Sequence, residues 1–334
     1  MHVRALRPSF IALAGLVLAL PAIVGAQSFG IGSGDPFSLS VNPQNPAPYG
    51  QVTLSAVSAS LNLANATMTV SVGGKEIYRG NVQPVKVTLG GTGVLTSVTV
   101  AISVNGATYR KTLSLRPQDV VLVAEPISSA PVLYPGKPLV PLEGTVRVVA
   151  MANLKSANGK TLDPSALSYA WTVDGAQIAN VSGIGKEAIV VASPLQYRDR
   201  TVSVIVESQD GNLVGGASLS LTAQTPTVRL YENDPLLGIL YDHALSGGYT
   251  VTGAETSLYA APFSFPSVNG GPALQWFLNG GPAQTGNSIT LRPTGSGEGS
   301  ASLSLVASSG DFVNATTNLP LSFGAKSGGN LFGL

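Results

Sequence analysis

Cysteine is absent from all 334 residues of the chain. Disulfide-stapled scaffolds, thiol catalysis and cysteine-based metal sites are therefore excluded. Charged residues make up only 10 % of the sequence, against roughly a quarter in an ordinary soluble domain. The formal net charge of +1 provides no basic patch, so we expect no nucleic-acid partner. Aromatic residues are also scarce, at 6 %, and no exposed aromatic platform for sugars can be singled out from their positions.

Glycine and proline, by contrast, are abundant, at 39 and 23 residues. Both interrupt helices, glycine through its backbone entropy and proline through its missing N–H group. Their number disfavours helical bundles and coiled coils. The hydrophobic fraction of 44 % is sufficient for packed cores, so the composition favours a folded protein over wholesale disorder.

Residues 1–26 have the pattern of a secretory signal peptide. Two arginines and no acid precede an apolar run, and Val24 and Ala26 are the small residues expected just before a cleavage site at Gln27. An uncleaved anchor is the alternative, but a spanning helix needs about 20 apolar residues. The run from Phe10 to Val24 has 15 and contains a proline. We expect an exported protein, extracellular or at the cell surface, with no transmembrane anchor after signal cleavage.

One short pattern occurs three times along the chain. An alternating apolar segment that ends in a glycine-containing turn is centred on Val70, Trp171 and Trp276. These three positions are 101 and 105 residues apart, which suggests one domain per repeat. We expect all three side chains to be structural core residues.

The second half of each repeat has two alternating segments around a turn signal. Asn105-Gly106 and Asp210-Gly211 favour two-residue hairpin turns, because both turn positions need a positive φ. Gly310-Asp311 is a weaker variant of the same signal. The sequence therefore predicts a strand, a turn and a strand at the end of each repeat.

Each repeat also begins with a strand that is followed by prolines. Proline cannot donate to a strand ladder, so these opening strands are predicted at sheet edges. They are Phe37–Val41, Val120–Ala124 and Val228–Glu232. Short strands at this spacing predict an all-β chain of tandem antiparallel β-sandwich domains.

A tryptophan two residues inside a strand that ends in a polar-Gly turn resembles strand C of immunoglobulin-like and PKD-like domains. The resemblance implies sandwiches in which the indole fills the centre, although the first repeat has Val70 instead. Segments 144–175 and 230–245 also resemble exported proteins of candidate-phylum bacteria of the Parcubacteria type, which implies a cell-envelope context and no known activity. The predicted divisions are a signal peptide (1–26), a linker (27–35), immunoglobulin-like domains (36–117, 118–225 and 226–324) and a flexible tail with an apolar end (325–334).

Candidates for chemistry are few. His243 is the one histidine after the predicted cleavage site, and on a strand its neighbour Asp242 would point to the opposite face. We predict no catalytic residue, no cofactor and no enzyme activity. Calcium, which prefers oxygen ligands, has one weak candidate site in Glu232 and Asp234 with Asp242 nearby. A simple turn at Asp234 is the alternative.

The segment 325–334 begins with the composition of a flexible linker and ends with the apolar residues Leu331, Phe332 and Leu334. It is either a frayed tail or a docking peptide that adds to a partner's sheet edge or enters a pocket. Both interpretations stay open at this point.

Three more aromatic rings are clustered at Tyr259, Phe263 and Phe265. They could form an exposed platform for sugars, but alternate positions on a strand are also how a sandwich fills its interior. We predict that these rings are core residues.

Together these features predict a non-enzymatic structural or adhesive component of the cell envelope or of a surface appendage, built as a rod of immunoglobulin-like domains. Its partner would be an envelope protein or a surface polymer. The alternative function is a carbohydrate- or peptidoglycan-binding surface module that acts through loops at one end. A row of surface aromatic rings would favour the alternative, and fully buried rings would disfavour it.

Overall fold

The computed structural model describes residues 35–132, 134, 136–294 and 298–324. The predicted signal peptide, the linker up to residue 34 and the tail 325–334 lie outside these described residues. Within the described ranges no helix is long and apolar enough to cross a bilayer.

The first sandwich consists of two antiparallel sheets. One is formed, in spatial order, by β1 (Ser38–Asn42), β2 (Gln51–Val57) and β5 (Val85–Thr88). The other is formed by β4 (Lys75–Asn81), β3 (Thr67–Val72), β6 (Thr96–Val104) and β7 (Ala107–Leu115). A 3₁₀ helix, Leu63–Asn65, lies between β2 and β3.

The second sandwich repeats this arrangement. Its first sheet has the order β13 (Ala188–Ala192), β9 (Thr145–Asn153) and β8 (Asp119–Pro126). Its second sheet has the order β11 (Ala176–Gln177), β10 (Ser168–Val173), β14 (Asp199–Glu207) and β15 (Val214–Thr222), and β12 (Gly183–Ile184) also pairs with β10. Two 3₁₀ helices are Pro164–Ala166 and Ala179–Val181.

The third sandwich has two additional short strands. Its first sheet has the order β17 (Gly238–Ile239), β16 (Thr227–Asp234), β19 (Thr256–Phe263) and β22 (Ser288–Leu291). Its second sheet has the order β18 (Tyr249–Val251), β24 (Val313–Phe323), β23 (Gly299–Ser309), β20 (Ala273–Leu278) and β21 (Gly281–Thr285). β18 pairs with β24 in parallel, which departs from the antiparallel pattern that the sequence predicts.

Three separate hydrophobic cores lie between the paired sheets, and their members come from residues 37–115, 146–221 and 228–321. Buried and exposed positions alternate along the strands, as a half-buried strand requires. Val70, Trp171 and Trp276 are fully buried, each in the middle of the equivalent strand of its sandwich. The all-β fold of tandem immunoglobulin-like sandwiches is therefore confirmed.

The turn between β14 and β15 differs from the prediction. Asn105 and Gly106 both have positive φ angles, as a two-residue turn requires, whereas only Gly211 does so between β14 and β15. The reason is a side-chain network: the Ser208 hydroxyl donates to the Asp210 carboxylate and accepts the N–H of Leu213 at 3.0 Å. This network stabilises a wider loop in place of the tight turn.

Candidate functional site: the junctions between sandwiches

The two tryptophans occupy matching environments. The indole N–H of Trp171 donates to the carbonyl of Lys186 at 2.8 Å, and that of Trp276 donates to the carbonyl of Gly286 at 2.8 Å. Each carbonyl belongs to the segment that leads to the next strand of the opposite sheet. The rings therefore bind the two sheets together and are not accessible to a ligand.

The three candidate calcium ligands do not converge. The Asp234 carboxylate accepts the N–H groups of Leu236 and Leu237 at 2.7 and 2.8 Å. These bonds form a simple turn, which was the alternative to a calcium site. These bonds lower the pKa of Asp234. Glu232 lies near Tyr249. Burial raises the pKa of Tyr249, and the negative charge of Glu232 raises it further. No group of three or more histidine and acidic side chains that could bind a metal occurs within the described ranges.

The relation between Asp242 and His243 corrects the sequence prediction. Both residues lie in a turn and not on a strand, so their side chains can meet: the His243 Nδ1 atom is 3.0 Å from the Asp242 carboxylate. This contact lowers the pKa of Asp242. Both side chains are largely exposed, so water competes for the same bonds.

The prediction that the rings of Tyr259, Phe263 and Phe265 fill the core is right only for Phe265. Tyr259 and Phe263 are half-buried on the outer face of β19, whereas Phe265 is fully buried. The reason is Ser264, whose φ of 62° ends the regular alternation of the strand. The next side chain therefore turns inward.

Tyr259 belongs to a small aromatic cluster on this outer face. The Tyr241 ring packs edge-on against Tyr231 and Tyr259, with ring centroids 5.1 and 6.5 Å apart. Tyr241 comes from the connection between β17 and β18, so the cluster fastens this connection to the sheet. Burial raises the pKa of Tyr241, and its buried hydroxyl has no hydrogen-bond partner in the described part of the chain. Sequence reasoning missed this cluster because its rings come from three separate segments.

The first junction is built around Gln118, which follows β7 and is 2 % exposed. The Gln118 Oε1 atom accepts the N–H of Lys155 at 2.7 Å, and the Nε2 atom donates to the carbonyl of the same residue at 3.3 Å. Lys155 belongs to the connection between β9 and β10. From the first sandwich, the N–H of Gly93 donates to the carbonyl of Pro117 at 2.8 Å. The linker is thus bonded on both sides.

The facing loops at this junction are also in direct contact. A Cβ on Gly93 would lie 2.9 Å from the Cβ of Lys155, and one on Gly216 would lie 3.1 Å from the Cβ of Asn45. A side chain at Gly93 would force Lys155 to shift, and one at Gly216 would crowd Asn45. Glycine therefore lets the first and second sandwiches approach closely.

The second junction is a backbone ladder. Ser129, in the long connection between β8 and β9, donates its N–H to the carbonyl of Phe265 at 2.7 Å and accepts the N–H of Ser264 at 3.1 Å. The N–H of Ser267 donates to the carbonyl of Ile127 at 3.2 Å. A segment of the second sandwich therefore pairs as a short antiparallel strand with the chain that follows β19 in the third.

Side chains strengthen this ladder. The Ser129 hydroxyl accepts the N–H of Phe265 at 3.0 Å. The Tyr134 ring packs edge-on against Phe263, with centroids 5.1 Å apart. On the linker itself, the N–H of Gln224 donates to the carbonyl of Val140 at 2.8 Å. Phe263 thus contributes to the junction and not to the core.

The fold places the chain in the class of tandem immunoglobulin-like β-sandwich proteins. It is similar to three N-terminal domains of the bacteriophage RB49 Highly Immunogenic Outer Capsid protein (Hoc), with 15 % identity over 87 % of this chain and 99 % of that chain and a TM-score of 0.24. It is also similar to immunoglobulin domains 1–5 of Sidekick-1, with 12 % identity over 83 % of this chain and 56 % of that chain and a TM-score of 0.31.

A third similar structure is the Bacteroides ovatus protein SGBP-B in complex with a mixed-linkage heptasaccharide. The identity is 14 % over 87 % of this chain and 70 % of that chain, with a TM-score of 0.22. Identities this low concern the architecture of the domains and not their activity. No family model and no curated protein matches the sequence.

Proposed function

We propose that the chain is an exported, non-enzymatic structural or adhesive component of the cell envelope or of a surface appendage. Its three sandwiches, over the predicted ranges 36–117, 118–225 and 226–324, would act as a stiff spacer that sets the distance of a contact surface from the cell. The observation that carries the proposal is the ladder between Ser129 and the 264–267 segment. A flexible string of domains would not need backbone pairing across a junction.

The first junction supports the same proposal by different means. The two directional bonds from the buried Gln118 amide hold Lys155 in place within the second sandwich, and the backbone of Gly93 in the first sandwich packs directly against Lys155. The export part of the proposal rests on the sequence of residues 1–26.

Distance measurements by electron paramagnetic resonance test the stiffness directly, because a chain without cysteine accepts spin labels only where cysteines are introduced. The labelled pairs are Lys86→Cys with Val190→Cys, and Val190→Cys with Gln284→Cys, all at exposed strand positions. We expect one narrow distance distribution for each pair. Broad distributions in both pairs would contradict the spacer proposal.

Two substitutions at Ser129 complete this experiment. Ser129→Pro removes the N–H that donates to Phe265, so it should broaden only the second distribution. Ser129→Ala removes only the hydroxyl acceptor and is the matched control, with a smaller effect expected. An unchanged second distribution in Ser129→Pro would show that the ladder does not set the geometry.

Substitutions in the tail 325–334 test the proposed adhesive function. Retention on isolated cell envelopes should be compared between the chain from residue 27 onward and the same chain with Leu331, Phe332 and Leu334 all changed to serine. Loss of retention in the variant would make the tail the anchor, and equal retention would place the contact on the sandwiches. No retention of either protein would contradict an envelope component.

A further inference from the structure

A cleft of about 480 Å³ opens where the second and third sandwiches meet. The second sandwich supplies one wall with Glu143, Gly144 and Thr145. The third supplies the other with the loop after Pro266 and with the end of β23 around Ser308. Binding sites occur preferentially at such interfaces between domains.

The lining is polar and carries little charge. Ser308 and Ser309 contribute hydroxyl groups, Asn269 contributes an amide, and Glu143 is the one ionisable side chain among the lining residues. Thr145 also lines the cleft, but its hydroxyl oxygen is buried. Such a set can both donate and accept hydrogen bonds but cannot neutralise an anionic ligand. It therefore suits a neutral ligand rich in hydroxyl groups.

Two buried hydroxyls at this junction have no hydrogen-bond partner among the residues that the structure describes. The Thr145 Oγ1 atom, in the cleft wall, and the Ser193 Oγ atom lack hydrogen bonds. Ser193 is only 8 % exposed, and its N–H donates to the carbonyl of Gly144 in the same wall at 2.8 Å. An unpaired buried hydroxyl is costly, so these two groups are a local weakness in the packing beneath the wall, and of the two residues only Thr145 lines the cleft.

The walls of the cleft are held in place. A Cβ on Gly144 would lie 2.4 Å from the Cγ of Pro141 and 3.3 Å from the Cβ of Pro266, so the two sandwiches pack closely at the base. The ladder at Ser129 runs directly into Pro266. A cleft whose walls are already fixed loses little entropy when a ligand binds.

One exposed apolar side chain lines the cleft, and another lies on the hairpin next to it. Val268 lines the cleft and is 58 % exposed. Phe312 lies two residues after Gly310, a lining residue, and is 80 % exposed at the tip of the β23–β24 hairpin. An exposed ring on this hairpin can pack against the C–H face of a sugar that extends beyond the lining residues.

We infer that this cleft binds a neutral oligosaccharide. The inference goes beyond the proposed spacer function and does not depend on it, since a stiff rod need not bind sugar. Hydroxyl and amide groups of the walls would bond the sugar hydroxyls, and Phe312 would pack against a ring that extends beyond the lining residues.

The test is titration of the full chain from residue 27 onward with four neutral hexasaccharides: cellohexaose, chitohexaose, xylohexaose and mannohexaose. Binding is followed by calorimetry and by amide shifts in the NMR spectrum. We expect at least one of them to bind and to shift the amides of Thr145, Asn269 and Ser309. No binding of any at 5 mM, roughly the weakest affinity of interest, would overturn the inference.

Variants locate the site. Asn269→Ala and Phe312→Ala should each weaken binding by about tenfold, the effect of losing one good contact. The matched controls are Asn318→Ala, at an exposed position of β24, and Tyr49→Ala, an exposed ring of the first sandwich, and neither should change the affinity. Binding that is unaffected by the first two variants would place the sugar elsewhere and overturn the assignment.

Thr145→Val separates binding from folding. Valine has nearly the shape of threonine and lacks the unpaired hydroxyl, so thermal stability should be equal or higher. Because that hydroxyl is buried, the affinity for sugar should stay the same. Spin-label distances across the junction should stay unchanged in this variant. If the protein binds no sugar but its spin-label distance distributions are narrow, the sugar-binding inference is wrong and the spacer proposal stands. If it binds sugar but the distance distributions are broad, the spacer proposal is wrong and the sugar-binding inference stands.

Discussion

The turns that follow β3, β10 and β20 are each attached to the rest of their sheet. The N–H groups of Gly73, Asp174 and Asn279 each donate to a carbonyl at the start of the neighbouring strand, at 2.8 to 2.9 Å. Asp174 and Asn279 add a side-chain bond, since they accept the N–H groups of Thr201 and Ser302. The first sandwich has glycine here and lacks that bond.

Asp174→Ala should destabilise the second sandwich by about 1–2 kcal/mol, because it removes this bond and places alanine at a φ of 51°. Asp174→Asn should cost less, since its amide oxygen can still accept the N–H of Thr201 and only the ion pair with half-exposed Arg200 is lost. Urea unfolding of both variants measures the difference. Equal losses would show that the backbone conformation and not the bond dominates.

Asp210 makes the stability of the second sandwich depend on pH. The Ser208 hydroxyl and then the Asn212 side chain and N–H bond its carboxylate and lower its pKa from the ordinary 3.8. A carboxyl with a lowered folded-state pKa stabilises the fold above its unfolded-state pKa, and this contribution is lost as the pH falls through the folded-state pKa.

Between pH 5 and pH 2, the free energy of unfolding should therefore fall less in Asp210→Asn than in the parent protein. This range extends about two units around an ordinary aspartate pKa. Urea unfolding at several pH values measures the difference in slope. Asp311→Asn, in the equivalent loop of the third sandwich, is the control and should follow the parent protein. Identical slopes for Asp210→Asn and the parent would contradict the role of the network.

At the scale of elements, the connection between β17 and β18 is an addition to the third sandwich. It carries Tyr241 back onto the outer face of the first sheet, where Leu245 donates its N–H to the carbonyl of Leu230 at 2.8 Å. It then continues into β18, which pairs in parallel with β24. One connection thus covers an edge of each sheet, and covered edges discourage pairing with other chains.

Tyr241→Phe should leave the stability unchanged or raise it by up to about 1 kcal/mol, because it removes a buried hydroxyl that has no hydrogen-bond partner in the described part of the chain. Tyr241→Ala should release the connection from the sheet and speed hydrogen exchange at Leu245 and in β18. Thermal unfolding and amide exchange measure the two effects. A large loss of stability in Tyr241→Phe would show that the hydroxyl is bonded after all.

At the scale of the whole molecule, the junctions decide whether the sandwiches behave as one unit. Gln118→Leu keeps the bulk of the side chain but leaves the N–H and carbonyl of Lys155 without their buried partners. This should destabilise the loop around Lys155 by about 2–3 kcal/mol, because two part-buried backbone groups lose their partners, and it should loosen the contact of this loop with Gly93 of the first sandwich. We expect calorimetry to resolve separate unfolding of the first sandwich in this variant.

Gln51→Ala, at an exposed position of β2, is the control for that experiment and should unfold like the parent protein. A single unchanged transition in Gln118→Leu would mean that the close loop contacts at Gly93 are sufficient to couple the sandwiches.

The sequence by itself determined the repeat, the fold class and the core. Period-two alternation and polar-Gly turns act over a few residues, so they place Val70, Trp171 and Trp276 inside their sandwiches without any knowledge of distant contacts. The same locality explains why the aromatic rings of β19 were misplaced. The positive φ of Ser264 turns Phe265 into the core, whereas Tyr259 and Phe263 stay on the outer face of the strand. A single backbone angle is not visible in a sequence pattern.

Only the tertiary structure decided how the sandwiches are joined. The bonds of Gln118 to Lys155, and of Ser129 to Phe265 more than a hundred residues away, connect segments whose composition is that of ordinary loops. Such loops show no periodicity, because the partner of Ser129 is in another domain, that of Gln118 is 37 residues away, and neither contributes to local propensity. The spacer proposal and the cleft at Thr145 both rest on these contacts, which exist only once three separate cores have folded and met.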